Sequence, residues 1–399
     1  MLKGKNILLG ISGGIAAYKM ADVASMLVKQ NADVHVVMTR SACKFISPET
    51  FEVLTKNKVY VDVFDKPVDD PTAVPHIALG TGADCILIGP ATADIIGKLA
   101  NGIADDMLST VVLPARCPIL VAPSMNVYMF ENPIVQDNIE KLRRFGYKII
   151  EPSTGHLACG YDGKGKLPSP EKLVENVMLY AARNKDYAGK KVLVDAGPTQ
   201  EAIDPVRFIT NHSSGKMGYS IARIAAMRGA EVTLVSGPVN LDTPEGVKRI
   251  DVVSAQDMYA AMVKEAEDSD IIIMSAAVAD YRPLEVAENK IKKSGNEDMT
   301  SIALTRTSDI LKTLGQSKRD GQIIVGFSME TENLIENSRK KLESKNADMI
   351  CANSLKTEGA GYQVDTNIVT MITKEDMESL PIMSKLEVAD KIFDKIKKL

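Results

Sequence analysis

Several features are missing from these 399 residues, and each absence removes a class of protein. No run of about 18 apolar residues occurs, so no segment is predicted to span a bilayer. The start, Met1 to Lys5, leads straight into strand-like sequence and lacks the apolar core and cleavage site of a secretory signal. Cysteine is scarce and odd in number, at five, with no Cys-x-x-Cys pair and no zinc-ligand spacing. That pattern points to a reduced, cytoplasmic setting rather than a disulfide scaffold. There is no Gly-x-Gly-x-x-Gly fingerprint and no Walker A pattern. Positive charge is not in excess: the formal charge is −4 and the pI about 5.8, which argues against a general nucleic-acid binder. An anionic ligand must therefore be held by local positive charge or by helix N-termini. Low-complexity segments and short-period repeats are also missing, and there are only four histidines.

What is present is ordinary globular material, 45% hydrophobic and 25% charged, long enough for two or three domains. Asn6 to Ile11 reads as a strand, followed by a helix to Gln30 and a strand at Asp33 to Thr39. Val59 to Phe64 is extended, Asp84 to Gly89 is a strand, and Cys117 to Val121 is a buried parallel strand. This βαβ rhythm predicts α/β architecture. Arg183 to Lys190 is polar and then punctuated, a domain boundary near 188, giving domains 1–188 and 189–399. Beyond it the rhythm resumes at Lys191 to Asp195, with a helix at Tyr219 to Arg228 and a strand at Asp270 to Met274. Leu386 to Leu399 reads as an amphipathic packing helix with its lysines outward.

Ligands in open α/β sheets sit at the carboxyl ends of strands, so the segments after each strand are the candidate sites. In the first half these are Ser12 to Lys19, Thr39, Pro90 to Asp94, Asn101 to Thr110, and Ala122 to Met129. Each hydroxyl taken singly fits a helix cap as well. Asn126 either faces a ligand or caps a helix beginning near Glu131. His76 reads as structural or as an acid–base group. Thr154 to Lys166 is rich in glycine, the composition of a mobile lid, and carries Cys159. A thiol with a pKa near ~8.5 stays mostly protonated at neutral pH and can give a proton. Cys43, Cys85, Cys117 and Cys351 lie in or beside strand-like runs and read as core.

Pro123-Ser124-Met125-Asn126-x-x-Met129 and Leu157-Ala158-Cys159-Gly160 resemble the substrate clamp and the flap of flavin-dependent cysteine decarboxylases. Nearly the full length resembles the bifunctional phosphopantothenoylcysteine decarboxylase/phosphopantothenate–cysteine ligases of coenzyme A synthesis. The resemblance implies a flavodoxin-like parallel sheet with helices on both faces, then a Rossmann-like α/β domain. It implies FMN held by Ser12, Gly14, Thr39, Thr92, Ser109 and Ala122, with Ser109 on the phosphate. Asn126 would position the substrate carboxylate beside Met125 and Met129, Cys159 would protonate the intermediate, and His76 would assist the first proton removal. Pro75 and Lys166-Leu167 depart from the family pattern, which has Arg-Met at the latter pair.

In the second half Arg207 to Gly218 includes Asn211 and Ser213-Ser214-Gly215, a phosphate cradle or a serine cap before a helix. Lys290-x-Lys292-Lys293 follows a strand end and an Asp; alone, such a cluster is a solvated surface. By resemblance Arg207 and Asn211 belong to the phosphopantothenate region, and Asn211 orients an acyl-cytidylate. Lys290 supplies the essential positive charge, and CTP meets Ser275, Ala276, Asp280, Ser308, Asp309, Ile310, Phe327, Lys341 and Lys345. Phe327 also fits plain core packing. Mg²⁺ would arrive with the CTP phosphates, Asp280 being a candidate helper and no protein cage being needed. The implied partners are 4′-phosphopantothenate, L-cysteine and CTP, with no nucleic acid and no membrane, in a homo-oligomer, a dodecamer by resemblance. The other readings are a decarboxylase of peptide C-terminal cysteine, a flavin prenyltransferase, or a flavin-holding regulatory subunit.

Overall fold

The computed structural model describes residues 1–65, 74–156, 162–292, 301–330, 333–354 and 364–399. Contacts divide the chain into two compact units, Met1–Asn184 and Lys185–Leu399. No helix among the described residues is long and apolar enough to cross a membrane.

The first unit runs β1 (Asn6–Ile11), α1 (Met20–Lys29), β2 (Asp33–Met38), α2 (Pro48–Thr55), β3 (Val59–Tyr60), α3 (Pro75–Gly82) and β4 (Cys85–Ala91). It continues through α4 (Ala93–Asn101), α5 (Met107–Val112), β5 (Ile119–Pro123), α6 (Val127–Glu131), α7 (Pro133–Arg144) and β6 (Lys148–Ile149). A hairpin, β7 (Ser153–His156) and β8 (Asp162–Lys166), and then α8 (Pro170–Ala181) complete it. The sheet is parallel throughout, in the order β3-β2-β1-β4-β5-β6. Its central strands are apolar at nearly every position because helices cover both faces; all seven residues of β4 are buried. One helical layer groups α1 with α2 and α8, and the other groups α4 with α5 and α7. Prolines open α2, α3, α7 and α8, where their fixed φ suits a first turn and no amide is needed.

The second unit begins with β9 (Lys191–Ala196), β10 (Gln200–Ala202), β11 (Phe208–Thr210), α9 (Lys216–Met227), β12 (Glu231–Ser236), β13 (Val247–Asp251) and α10 (Ala255–Ala266). Next come β14 (Ile271–Met274), β15 (Tyr281–Pro283), β16 (Leu304–Arg306), α11 (Ile310–Gln316), β17 (Ile323–Glu330), α12 (Leu334–Ser344) and β18 (Met349–Ser354). The chain finishes with β19 (Thr366–Asn367), β20 (Val369–Thr373), β21 (Met377–Ser379), β22 (Met383–Ser384) and α13 (Lys385–Ile396). The main sheet is ordered β13-β12-β9-β14-β17-β18-β20-β21, parallel as far as β18 and antiparallel at β20 and β21. Strand order reverses between β9 and β14, which opens a crevice at their carboxyl ends. One core cluster joins Met258 and Met262 of α10, Ile310 and Leu314 of α11, and Ile272 and Ile324 of the sheet. On the other side α13 packs on α9.

Several local expectations change. The tail helix keeps Lys391, Lys397 and Lys398 outward but not Lys395, which is buried and paired with Asp376 and Glu378. Its apolar stripe, Val388, Ile392, Phe393 and Ile396, is wide enough to draw that stem in, while the ammonium reaches acids on the neighbouring turn. The extended Val59 to Phe64 forms ladder pairs only at Val59 and Tyr60. Cys85 and Cys351 are core, but Cys43 and Cys117 are half-buried. Burial pushes the Cys117 thiol up, against the bonds that its own amide and that of Ile86 make.

Candidate functional site

In the first unit the carboxyl ends of β1, β2 and β4 open into a cleft of about 740 Å³, lined by Ser12, Gly13, Thr39, Thr92, Lys98 and Met129 among others. The Ser12 hydroxyl donates to the Pro90 carbonyl at 2.6 Å and accepts from the Thr92 amide at 3.1 Å, tying β1 to β4. Neither hydroxyl caps its own helix by side chain. Thr39 accepts from the Ala42 amide at 3.1 Å. A Cβ on Gly13 would lie 2.4 Å from Cβ of Ser41, so only glycine lets the two loops approach there.

One wall is acidic, and Lys98 on it is already engaged by carboxylates. Lys98 meets Asp105 at 2.9 Å, Asp106 at 3.0 Å and Asp94 at 3.5 Å. Burial of Lys98 opposes its charge, but Asp105 and Asp106 outweigh burial and hold the ammonium above its ordinary range. Ser109 is buried in a capping box with Asp106, accepting from the Asp106 amide and donating to its carboxylate, and does not line the cleft. Ala122 is buried in β5. Gly14 packs beside Pro90 and Thr92.

Asn126 caps α6, which starts at Val127 rather than near Glu131; its Oδ1 accepts from the Tyr128 amide at 2.9 Å. The hairpin arm β8 packs against this cap: the Met125 amide donates to the Gly165 carbonyl at 3.0 Å. Leu167 is buried and anchors the far end of that arm. Cys159 lies outside the described residues, as does Lys293. His76 sits in the first turn of α3 behind Pro75, with Nδ1 buried and unpartnered among the described residues, and it does not line the cleft.

In the second unit two clefts meet. One, of about 330 Å³, is lined by Asn211, Ser213, Gly215, Ser275 and Asn353, among others. The other, of about 750 Å³, takes in Ser308, Asp309, Ile310, Lys341 and Lys345. Ala276, Asp280 and Phe327 line both. Phe327 is thus a wall of the site rather than plain core. The N-cap of α9 is Gly215 in the left-handed region, so neither serine caps it. Asn211 donates to the carbonyls of Ala277 at 3.2 Å and Val278 at 3.1 Å.

Lys341 donates to the Phe327 carbonyl at 2.8 Å, and Lys345, just past α12, pairs with Asp309. Burial would raise the Asp309 carboxyl, but Lys345 and the Lys312 amide hold it below the usual carboxylate range. Arg207 stands outside both clefts and donates to the Ile291 carbonyl at 3.2 Å, while buried Asp204 accepts from the Ile291 amide at 3.1 Å. Those contacts pin the segment that carries exposed Lys290, which itself lines neither cleft. Among the described residues no cluster of three His, Cys, Asp or Glu side chains is arranged to hold a metal.

Sequence reasoning nominated the segments that carry Asp94, Asp105 and Asp106 but missed Lys98, because a lysine in a helix near aspartates reads as solvated charge. It also missed Asp195, an acid inside an apolar strand and fully buried.

Residues 1–181 match the family described as Flavoprotein, and residues 187–399 match the DNA/pantothenate metabolism flavoprotein C-terminal domain. The chain is similar to the coenzyme A biosynthesis bifunctional protein CoaBC of Bacillus subtilis, 49% identical over 99% of this chain and 97% of that protein. The corresponding protein of Borreliella burgdorferi is 42% identical over 98% of this chain and 99% of that protein. A crystal structure of the C-terminal domain of a coenzyme A biosynthesis bifunctional protein CoaBC is 46% identical, covering 54% of this chain and 97% of that one, with a TM-score of 0.46.

Proposed function

This chain belongs to the family of bifunctional coenzyme A biosynthesis proteins, and on that premise we propose that its two units carry out two successive reactions on one substrate. The second unit joins 4′-phosphopantothenate to L-cysteine with CTP. The first, a flavoprotein, decarboxylates the product, 4′-phosphopantothenoylcysteine, to 4′-phosphopantetheine. The observation that carries this reading is that each unit ends its parallel strands in its own polar cleft, one lined by hydroxyls and a glycine turn, the other double and carrying Lys341 and Lys345.

The ligation needs an activated acid, because a carboxylate cannot expel oxide at neutral pH. Attack on the α-phosphate of CTP gives an acyl-cytidylate and pyrophosphate; the cysteine amine then displaces CMP. The two clefts share Ala276, Asp280 and Phe327, so an acid in the smaller and a nucleotide in the larger meet there. Lys341 and Lys345 face the nucleotide, Asn211 orients the acyl group, and Lys290 neutralises charge developing on the phosphates. Asp280, which lines both clefts, would help hold a Mg²⁺ ion brought with the triphosphate, where it would supply charge neutralisation.

The residues of the first cleft fit FMN. The Gly13 cradle admits a close backbone approach, and Ser12, Thr39 and Thr92 offer hydroxyls around it. Gly14 and Ala122 stand behind the lining, the one beside Pro90 and Thr92 and the other buried in β5, and Ser109 acts through the Asp106 cap behind the phosphate rather than by direct contact. FMN bound there supplies a two-electron oxidation that gives the cysteine moiety an electron sink, and then returns the electrons. Asn126 holds the departing carboxylate between Met125 and Met129, Cys159 donates a proton from its thiol, and His76 assists the first proton removal. Since His76 stands apart from the cleft of its own copy, a neighbouring copy in a homo-oligomer, a dodecamer by resemblance, completes the site. The setting is cytoplasmic.

Turnover tests the reading. Purified full-length protein given CTP, L-cysteine and 4′-phosphopantothenate should release pyrophosphate and carbon dioxide and show isoalloxazine absorbance. A colourless protein that released neither would sink it.

A further inference from the structure

Asp195 stands near the end of β9, at the point where strand order reverses across the sheet, and its side chain is fully buried. Its Oδ1 accepts from the backbone amides of Ser275 and, at 2.7 Å, Ala276. The Ser275 hydroxyl returns a bond to the Asp195 carbonyl at 2.6 Å. The second oxygen, Oδ2, is buried without a hydrogen-bond partner among the described residues. An unpaired buried carboxyl oxygen is costly, and an apolar side chain would build this strand at lower cost. The acid therefore needs an explanation other than sheet formation.

Resting on the nucleotide reading of the second unit, we propose that Asp195 is a positioning residue for that reaction. It aims the Ser275–Ala276 turn into the two clefts and sets the charge felt behind that turn. The turn has no slack: a Cβ on Gly218 of α9 would lie 2.6 Å from Cβ of Ala196 and 2.7 Å from both the Asp195 carbonyl and the Ser275 hydroxyl. Ser275 and Ala276 line the smaller cleft, and Ala276 the larger one too, so a shift of the turn alters both.

Beside Asp195 in register stand Val235 of β12 and Met274 of β14, and α9 brings Gly218. The charged group that acts on it is Lys341 of α12, which also lines the larger cleft. Burial pushes the carboxyl up to about 7, against the amides of Ala276 and Ser275 and against Lys341. Ionised, Asp195 competes with nucleotide phosphates for the field of Lys341; neutral, it does not. By linkage an anion in the cleft favours the protonated acid, and protonation favours the anion by the same factor.

The test compares full-length wild type with Asp195→Asn, which keeps an acceptor for the two amides but carries no charge. Pyrophosphate release is followed against CTP concentration from pH 6 to pH 8. Titration of CTP itself cancels in the ratio of the two KM values. That ratio, wild type over variant, should rise about fivefold or more across the range, with kcat little changed. Parallel profiles overturn the charge role. Asp195→Ala, with no acceptor, should raise the KM for CTP about tenfold at both pH values while flavin absorbance stays unchanged; an unchanged KM overturns the positioning role. If the Asn variant does not fold, the infrared band of neutral carboxyl groups in the wild type serves instead: it should grow when CTP is added at pH 7, and a constant band overturns the coupling. A wild type that releases no pyrophosphate overturns the nucleotide reading and this proposal together, whereas parallel profiles with release intact remove Asp195 alone.

Discussion

The two units build their clefts on the same plan and arm them differently. In the first, the polar groups around the cleft are satisfied by one another: Ser12 by Pro90 and Thr92, Lys98 by three aspartates, Arg40 by Asp62. Such a site is rigid before anything binds, which suits a resident cofactor whose orientation must not drift. In the second, Lys341 lines the larger cleft and donates to the Phe327 carbonyl, and Asp195 keeps an oxygen unpaired behind the turn that both clefts share. A buried acid with an unpaired oxygen suits a charged substrate that arrives and leaves, because its protonation can answer the ligand's charge. The same strand-end geometry thus serves permanence in one half and exchange in the other, according to whether the charges were already spent.

Substitutions that silence one half while sparing the other bear most directly on this contrast. Replacing Cys159 by Ser should lower carbon dioxide release by about a hundredfold or more, with pyrophosphate release intact; equal loss of both outputs would join the halves functionally. Lys290→Gln should do the reverse, cutting pyrophosphate release by about a hundredfold while flavin absorbance is unchanged. Gly13→Val places a side chain where Cβ alone would already meet Ser41, and should cost about 1–3 kcal/mol of local packing and release the flavin, read by loss of visible absorbance with ligase turnover kept.

A stability measurement sharpens the comparison further. Arg228 meets Asp186 at 2.6 Å, Asp394 at 2.9 Å and Asp390 at 3.4 Å, and lies over the rings of Tyr187 and Phe393. Arg228→Met should destabilise the second unit by about 2 kcal/mol, discounted because Asp394 is half exposed. Thermal melting should show this as a shift of the ligase transition with no change in flavin release. Arg228, followed by the smaller effect of Lys397, holds the Asp186 carboxyl down at about 2. A depressed carboxyl stabilises the fold above its unfolded pKa, so this contribution is present above about pH 4 and fades as pH falls toward 2. Asp195 has the opposite sign. Its raised carboxyl favours the fold below about pH 4, and that advantage is lost as pH rises to about 7. The smallest effect is expected for Lys345→Ala, a few-fold rise in the KM for CTP, because Asp309 already neutralises much of that ammonium.

Periodicity and punctuation made the layers legible: the apolar runs at β1, β4, β5 and β14 are buried parallel strands, and polar turns follow each. Residues directly after strands were correspondingly easy to nominate, and Ser12, Thr39 and Thr92 do line one cleft. Residues whose role depends on one particular partner, near or far along the chain, were not. Ser109 turns inward because Asp106, three residues before it, forms a reciprocal cap. Asn126 caps a helix that begins at Val127, where the apolar period of so short an element gives no warning. Lys395 is drawn inward by acids on a turn that sequence spacing cannot bring beside it.

By itself the sequence determined two α/β layers, their order along the chain and the segments able to carry chemistry, because burial on both faces of a sheet demands continuous apolar strands and leaves polar residues at their ends. Tertiary structure alone decided which charges are already neutralised and which stay available. It set Lys98 among three aspartates, joined two clefts at Asp280 and Phe327, and left Asp195 Oδ2 unpaired beneath Ser275 and Ala276. The last two depend on residues far apart in sequence, and the first on the turn that carries Asp105 and Asp106 back to the helix of Lys98, so apolar periodicity does not encode them.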